Sequence, residues 1–181
     1  MFPVLCFGQN ELDSIAIAKH LDSIFQIAKQ QVEYLNSGFD KHNDKDYYGA
    51  ISDYTRGIEL SPDFKGSAGL YYLRGFSKMK LGDDNGAIAD YDKAIELEPD
   101  NYEYYFERAL VKVGSEDYLG AFVDATKSIE LNPENAIAYK VRGLNFTGLK
   151  SKCDALKCSD YKKCCDLGEE KCCKWYNEEC N

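Results

Sequence analysis

Ala87–Pro99 reads AIADYDKAIELEP, and the same sentence recurs on either side of it. Ala50–Pro62 reads AISDYTRGIELSP, and Ala121–Pro133 reads AFVDATKSIELNP. Each stretch opens on Ala, carries Asp in fourth place, continues into Ile-Glu-Leu and closes on Pro. Apolar residues three and four apart predict a helix with one buried stripe, and Pro cannot continue it. Ala87 and Ala121 lie 34 residues apart. Ala50 and Ala87 lie 37 apart, which places a three-residue insertion around Gly66-Ser67-Ala68-Gly69.

A second set of segments precedes the first. It comprises YLNSGF from Tyr34, YLRGFSK from Tyr72 (Tyr71 at the aligned position), YFERALVK from Tyr105 and YKVRGLNF from Tyr139. Tyr71, Tyr105 and Tyr139 keep the 34-residue step. Two alternating helices, A then B, account for both sets. Small residues mark where their backbones touch: Gly38, Gly75, Ala109 and Gly143 on A, and Ala50, Ala87 and Ala121 on B. Tyr54 and Tyr91 fill the space toward the next pair. Asp83-Asp84 and Glu116-Asp117 stand before B helices, where carboxylates suit the positive helix end.

A 34-residue period of this kind, with Tyr, a small residue, Ala and Pro in order, resembles the tetratricopeptide repeat. The resemblance implies an all-α, right-handed superhelical solenoid of helix pairs. Repeats are expected at about 31–64, 68–101, 102–135 and 136–167. Residues 1–9 stand apart, and 10–181 form one domain. An N-terminal helix is expected over 11–29 and a capping helix over 169–180. In the fourth repeat Asp160–Leu167 matches Asp90–Leu97 with two residues inserted ahead of it, so Cys164 takes the place of Gly57, Ala94 and Ser128. Cys158-x-Asp160-Tyr161-Lys162-Lys163, Leu167-Gly168 and the terminal Cys180 are also similar to the ends of small exported Bacteroidetes tetratricopeptide proteins.

Composition narrows the function. Apolar residues make up 44%, against wholesale disorder. The net charge of -9 repels phosphate backbones and anionic lipid, which argues against nucleic acid as a partner. No apolar run reaches the length of a membrane span. MFPVLCFGQ at 1–9 is apolar and uncharged and reads as the end of a secretory signal; an apolar tail packed on the first helix is the other reading. Export to the periplasm or beyond is the expectation, with a cytoplasmic protein as the alternative.

Eight cysteines support the same view, seven of them between Cys153 and Cys180. An exported chain pairs such a cluster, whereas a cytosolic one uses it for metal or redox chemistry. Helices 157–167 and 169–180, antiparallel about Gly168, would face Cys158 with Cys180 and Cys165 with Cys173. Cys164 with Cys172 is a near alternative for the inner bridge, and Cys153 has no evident partner. The competing reading uses Cys164, Cys165, Cys172 and Cys173 as thiols or soft metal ligands.

No catalytic set emerges and no cofactor or metal is expected. His20 and His42 are the two histidines and fall far from the cysteines. Gly143–Ser151 has one residue too many for a phosphate loop and lies on a helix. Asp40–Gly49 lacks calcium-loop spacing. Asn145-Phe-Thr147 fits a glycosylation sequon inside a helix.

In the family that the chain resembles, A-helix positions 2, 5, 6 and 9 line a concave groove. These positions place Leu35 and Phe39, then Tyr72, Leu73 and Phe76, then Glu103, Phe106, Glu107 and Leu110, then Lys140 and Leu144, in a peptide-binding groove. Co-chaperone members grip a C-terminal carboxylate with Lys, Asn and Arg. Leu35, Phe39, Leu73, Glu103 and Glu107 occupy those positions here, which excludes that role. The expected activity is non-enzymatic: a scaffold holding an apolar or basic polypeptide segment, with self-association through the groove or the solenoid ends as a further route.

Overall fold

A computed structural model describes residues 7–148 and 154–180, with side chains from 14 to 145 and from 156 to 180. Cys6, Cys153 and the two-residue insertion before the last repeat helix lie outside the described residues, as does the signal-like segment up to residue 6. Helices follow one another as α1 (Phe7–Asn43), α2 (Tyr47–Leu60), α3 (Ala68–Lys80), α4 (Asp84–Leu97), α5 (Tyr102–Gly114), α6 (Tyr118–Leu131), α7 (Ala136–Gly148), α8 (Asp154–Asp166) and α9 (Glu170–Glu179). No strand occurs among the described residues. Consecutive helices pack on one another throughout, and α9 closes the stack against α8. The result is an all-α superhelical solenoid.

The first three A-to-B turns are built the same way. A residue at positive φ (Lys45, 64°; Gly82, 78°; Glu116, 62°) reverses the chain. The next residue is an Asp whose carboxylate accepts the backbone N–H three positions on: Asp46 from Gly49, Asp83 from Gly86 and Asp117 from Gly120. These caps satisfy orphan donors at the starts of α2, α4 and α6. The three-residue insertion forms a short 3-10 turn at Lys65–Ser67. Buried Ser67 holds it, donating to the Ser61 carbonyl and accepting from Gln31.

The small residues are explained by what faces them. A Cβ on Gly38 would meet the Tyr54 ring at 2.5 Å, one on Gly75 the Tyr91 ring at 3.0 Å, and one on Gly143 the Tyr161 ring at 2.7 Å. These tyrosines are fully buried. The remaining pair replaces the large–small contact by a small–small one, Ala109 with Ala125. Burial, with Asp40 and Asp53 nearby, pushes the Tyr54 hydroxyl up to about 12.

The repeated Asp has a role that its position alone did not reveal. Arg74, Arg108 and Arg142 each grip the buried Asp of their own B helix through two bonds. The pairs are Arg74–Asp90, Arg108–Asp124 and Arg142–Asp160, each closing to 2.6 Å. Each guanidinium also reaches the preceding B helix, at Thr55, Asp92 and Thr126 respectively. One side chain thereby joins three helices. Lys78 and Lys112 add a second cation to Asp90 and Asp124. In the first repeat Ser37 and Lys41 serve Asp53 instead. Burial acts to raise the Asp53 carboxyl, but Lys41 and Ser37 outweigh it and hold it below the usual range. At Asp160 burial prevails over Arg142 and the carboxyl is raised.

One boundary differs from expectation. The N-terminal helix and the A helix of the first repeat are a single helix, α1. Residues 9–37 contain neither Gly nor Pro, so nothing in this stretch interrupts the helix.

Candidate functional site

Of the expected groove residues, Tyr72, Glu103, Phe106 and Glu107 line one cleft; the others are put to different uses. Leu35, Tyr72 and Leu73 back onto the core around Tyr71 and Tyr104. Phe106 and Leu110 back onto the cluster of Ala109, Ala125 and Val141. Phe39 and Leu144 are exposed. Lys140 is engaged by the cap: its ammonium lies 3.1 Å from Glu169 and 5.9 Å from the centre of the Trp175 ring.

Two neighbourhoods of opposite sign result. Toward the N-terminal end, Phe76 stacks on His42 with ring centres 5.2 Å apart, and Lys80 sits 4.7 Å over the Phe76 ring. His42 Nδ1 is 2.8 Å from the Ser77 hydroxyl. Burial, then Lys80, lowers the affinity of this imidazole for a proton.

Toward the centre lies an open cleft of about 350 Å³, where Tyr72, Phe106, Glu103 and Glu107 meet Tyr102 and the α6–α7 turn (Asn132, Glu134, Asn135). Glu107 is half-buried. Burial raises its carboxyl above the ordinary value; Lys80 opposes this and Glu103 adds to it. Burial, with Glu107 and Glu103 beside it, raises the Tyr72 hydroxyl too. The cleft is therefore an aromatic-walled recess with carboxylates in and around it. Tyr102 and the turn residues escaped the sequence reading because they belong to no A-helix groove position; the turn reaches the cleft only when the next repeat stacks.

The cap carries the cysteines. The sulfurs of Cys158 and Cys180, of Cys164 and Cys172, and of Cys165 and Cys173 lie at bonding distance. The two alternatives for the inner bridge thus occur together. Gly168, at φ 96°, folds the last turn of α8 over the first turn of α9, so that adjacent cysteines on each helix face each other. Cys164 is fully buried in the small-residue position expected for it. The four inner cysteines pair two by two, and no group of three or more His, Cys, Asp or Glu converges on a metal position among the described residues.

Helix pairs stacked in a 34-residue period, with an open face on the A helices, define a repeat scaffold. The TPR repeat family model matches residues 75–114. A MamA structure from Desulfovibrio magneticus RS-1 superposes with a TM-score of 0.72 at 19% identity, covering 81% of each chain. A tetratricopeptide repeat protein from Parabacteroides merdae superposes at 0.71 and 19% identity, covering 78% of this chain and 55% of that one. The first TPR domain of Spaghetti (RPAP3), bound to the HSP90 peptide SRMEEVD, superposes at 0.65 and 21% identity, covering 68% and 96%. No curated sequence matches the chain. These likenesses establish the fold, a tetratricopeptide-type helical solenoid, with a TPR repeat over residues 75–114. Among the described residues no helix is long and apolar enough to cross a membrane.

Proposed function

We propose that the protein is a non-enzymatic interaction module whose central cleft takes an apolar polypeptide segment carrying a basic residue. The observation that carries this reading is Glu107, held half-buried beside Glu103 among Tyr72 and Phe106. A carboxyl raised by burial binds its proton more tightly in the folded than in the unfolded chain. Its contribution favours folding at low pH and is lost as pH rises from the ordinary Glu value through the raised one. At neutral pH Glu107 is thus a liability to the free protein, and a bound cation offsets it. Aromatic walls add cation–π and apolar contact. The RPAP3 relative binds a peptide with the acidic residues Glu-Glu and Asp; a cleft lined by Glu103 and Glu107 suits the opposite charge. We further infer that the protein works outside the reducing cytoplasm, where the three cysteine pairs persist as bridges.

A labelled peptide alternating Leu or Phe with Lys or Arg, compared with its Glu-substituted counterpart by fluorescence anisotropy, tests the reading. At pH 7.5 the basic peptide is expected to bind at least about tenfold more tightly. Its affinity should fall as the pH is lowered, since Glu107 takes up a proton ahead of an ordinary Glu. Glu107→Gln should weaken binding and remove that step, while raising the melting temperature. Equal affinity for the two peptides would refute the reading.

A further inference from the structure

We infer that the segment taken up by the central cleft is dipolar: an extended stretch with an acidic residue two positions from the basic one, the basic side chain meeting Glu107 and the acidic one Lys80. This rests on the proposed use of the cleft and specifies its partner. Tyr72, Phe76 and Lys80 step by four along α3 and so share one face of it. Tyr72 lines the cleft together with Glu103, Glu107 and Glu134. One turn further, about 6 Å along the axis, the Phe76 ring carries the Lys80 ammonium 4.7 Å from its centre. A negative and a positive end thus follow one another along a single A helix, with an aromatic ring at each.

Lys80 is exposed and takes part in no ion pair among the described residues. Its charge is nevertheless felt on both sides. It works against the proton of His42, on which Phe76 stacks, and it favours the charged form of Glu107. The ammonium therefore lies near Glu107 without being joined to it, and cation–π attraction to Phe76 holds it there. Spacing then defines the occupant. In an extended segment, side chains two positions apart point the same way and stand about 6.6 Å apart. That matches the helical step from the cleft to Phe76. A helical segment would instead bring residues three or four apart onto one face. The residue two positions from the seated cation is thus set beside Lys80. A second cation there is repelled, an apolar side chain leaves the ammonium to water, and a carboxylate pairs with it. The segment's own cation, seated against Glu107, stands between that carboxylate and those of the cleft and offsets their repulsion.

Labelled apolar peptides carrying Lys-x-Glu, Glu-x-Lys, Lys-x-Gln, Lys-x-Lys or adjacent Lys-Glu test this by fluorescence anisotropy. Low ionic strength suits the measurement, because exposed charges are then least screened. Both orders are included because an extended chain can run either way. The tighter of the two is expected to bind about fivefold more strongly than Lys-x-Gln, the scale of an exposed ion pair, and to exceed Lys-x-Lys by more, although its net charge is less positive. Placing Glu directly beside Lys, on the opposite side of the strand, should remove the gain. Lys80→Met should bring the Glu and Gln peptides to equal affinity, and Lys80→Glu should reverse the preference toward Lys-x-Lys, both with the helical signal retained. If Lys-x-Gln binds but Glu adds nothing in either order, or if its gain survives Lys80→Met, the dipolar partner is overturned while the basic-segment reading of the cleft stands. If none of the peptides binds, both are overturned.

Discussion

Arg142→Met is expected to cost about 3–5 kcal/mol at neutral pH, because it leaves a buried carboxylate without its cation. Asp160 is 1% exposed and receives both arms of the Arg142 guanidinium. Its carboxyl is already raised by burial with the arginine present. Without it the value rises further, so the folded variant holds a proton that the unfolded chain has released. Stability is then greater at acid pH and lost as pH rises through the raised value, and the variant should recover part of its loss as the pH is lowered. Arg108→Met should cost less, since Lys112 remains 2.8 Å from Asp124; position 146, where the fourth repeat would place such a lysine, is Phe. Urea unfolding of the two variants measures the difference. A cost below about 0.5 kcal/mol for Arg142→Met, or one smaller than that of Arg108→Met, contradicts this account of the Asp.

The second large effect belongs to the cap. The Cys158–Cys180 pair spans 22 positions, and closing such a loop stabilises by about 3 kcal/mol in the chain-entropy view. Helix α9 packs mainly on α8, with Lys140 of α7 reaching Trp175 and the preceding Glu169, so it depends on these bridges more than any other helix does. Trp175, the one tryptophan of the sequence, sits on α9 with its ring 5.5 Å from that of Tyr161. Its fluorescence therefore reports the cap separately from the repeats. Adding reductant to oxidised protein should bring the red shift of Trp175 emission to a markedly lower temperature than the loss of helical signal. Coincident transitions, unmoved by reductant, would show that the bridges hold nothing.

The sequence announced its fold through sterics. Gly or Ala at the helix contacts and Pro after the first three B helices are dictated by backbone approach, which a single chain displays when it repeats itself. An antiparallel register about Gly168 pointed to Cys158 with Cys180 and to one inner pair, either Cys165 with Cys173 or Cys164 with Cys172; that both inner pairs come to bonding distance was not legible. Other features were hidden. Asp53, Asp90 and Asp124 were visible as a repeated letter, and Arg74, Arg108 and Arg142 recur at 34-residue spacing. Joining the two sets requires knowing which side of helix A meets helix B. The continuity of α1 was obscured by a repeat frame that imposed a boundary at residue 31. The split of the groove into a Lys80 end and a Glu107 end was also out of reach. It depends on Lys80, which no groove position includes, and on a turn contributed by the next repeat.

The most direct test of the central claim is the affinity of the basic peptide for Tyr72→Ala/Phe106→Ala. Val123→Ala, on an exposed B-helix position, serves as the control. Aromatic anchors of a groove carry much of its binding energy. The double variant should bind roughly 30-fold more weakly, about 2 kcal/mol, with its helical signal retained and the control unchanged. Undiminished affinity in a folded double variant would place the binding surface elsewhere and contradict the account.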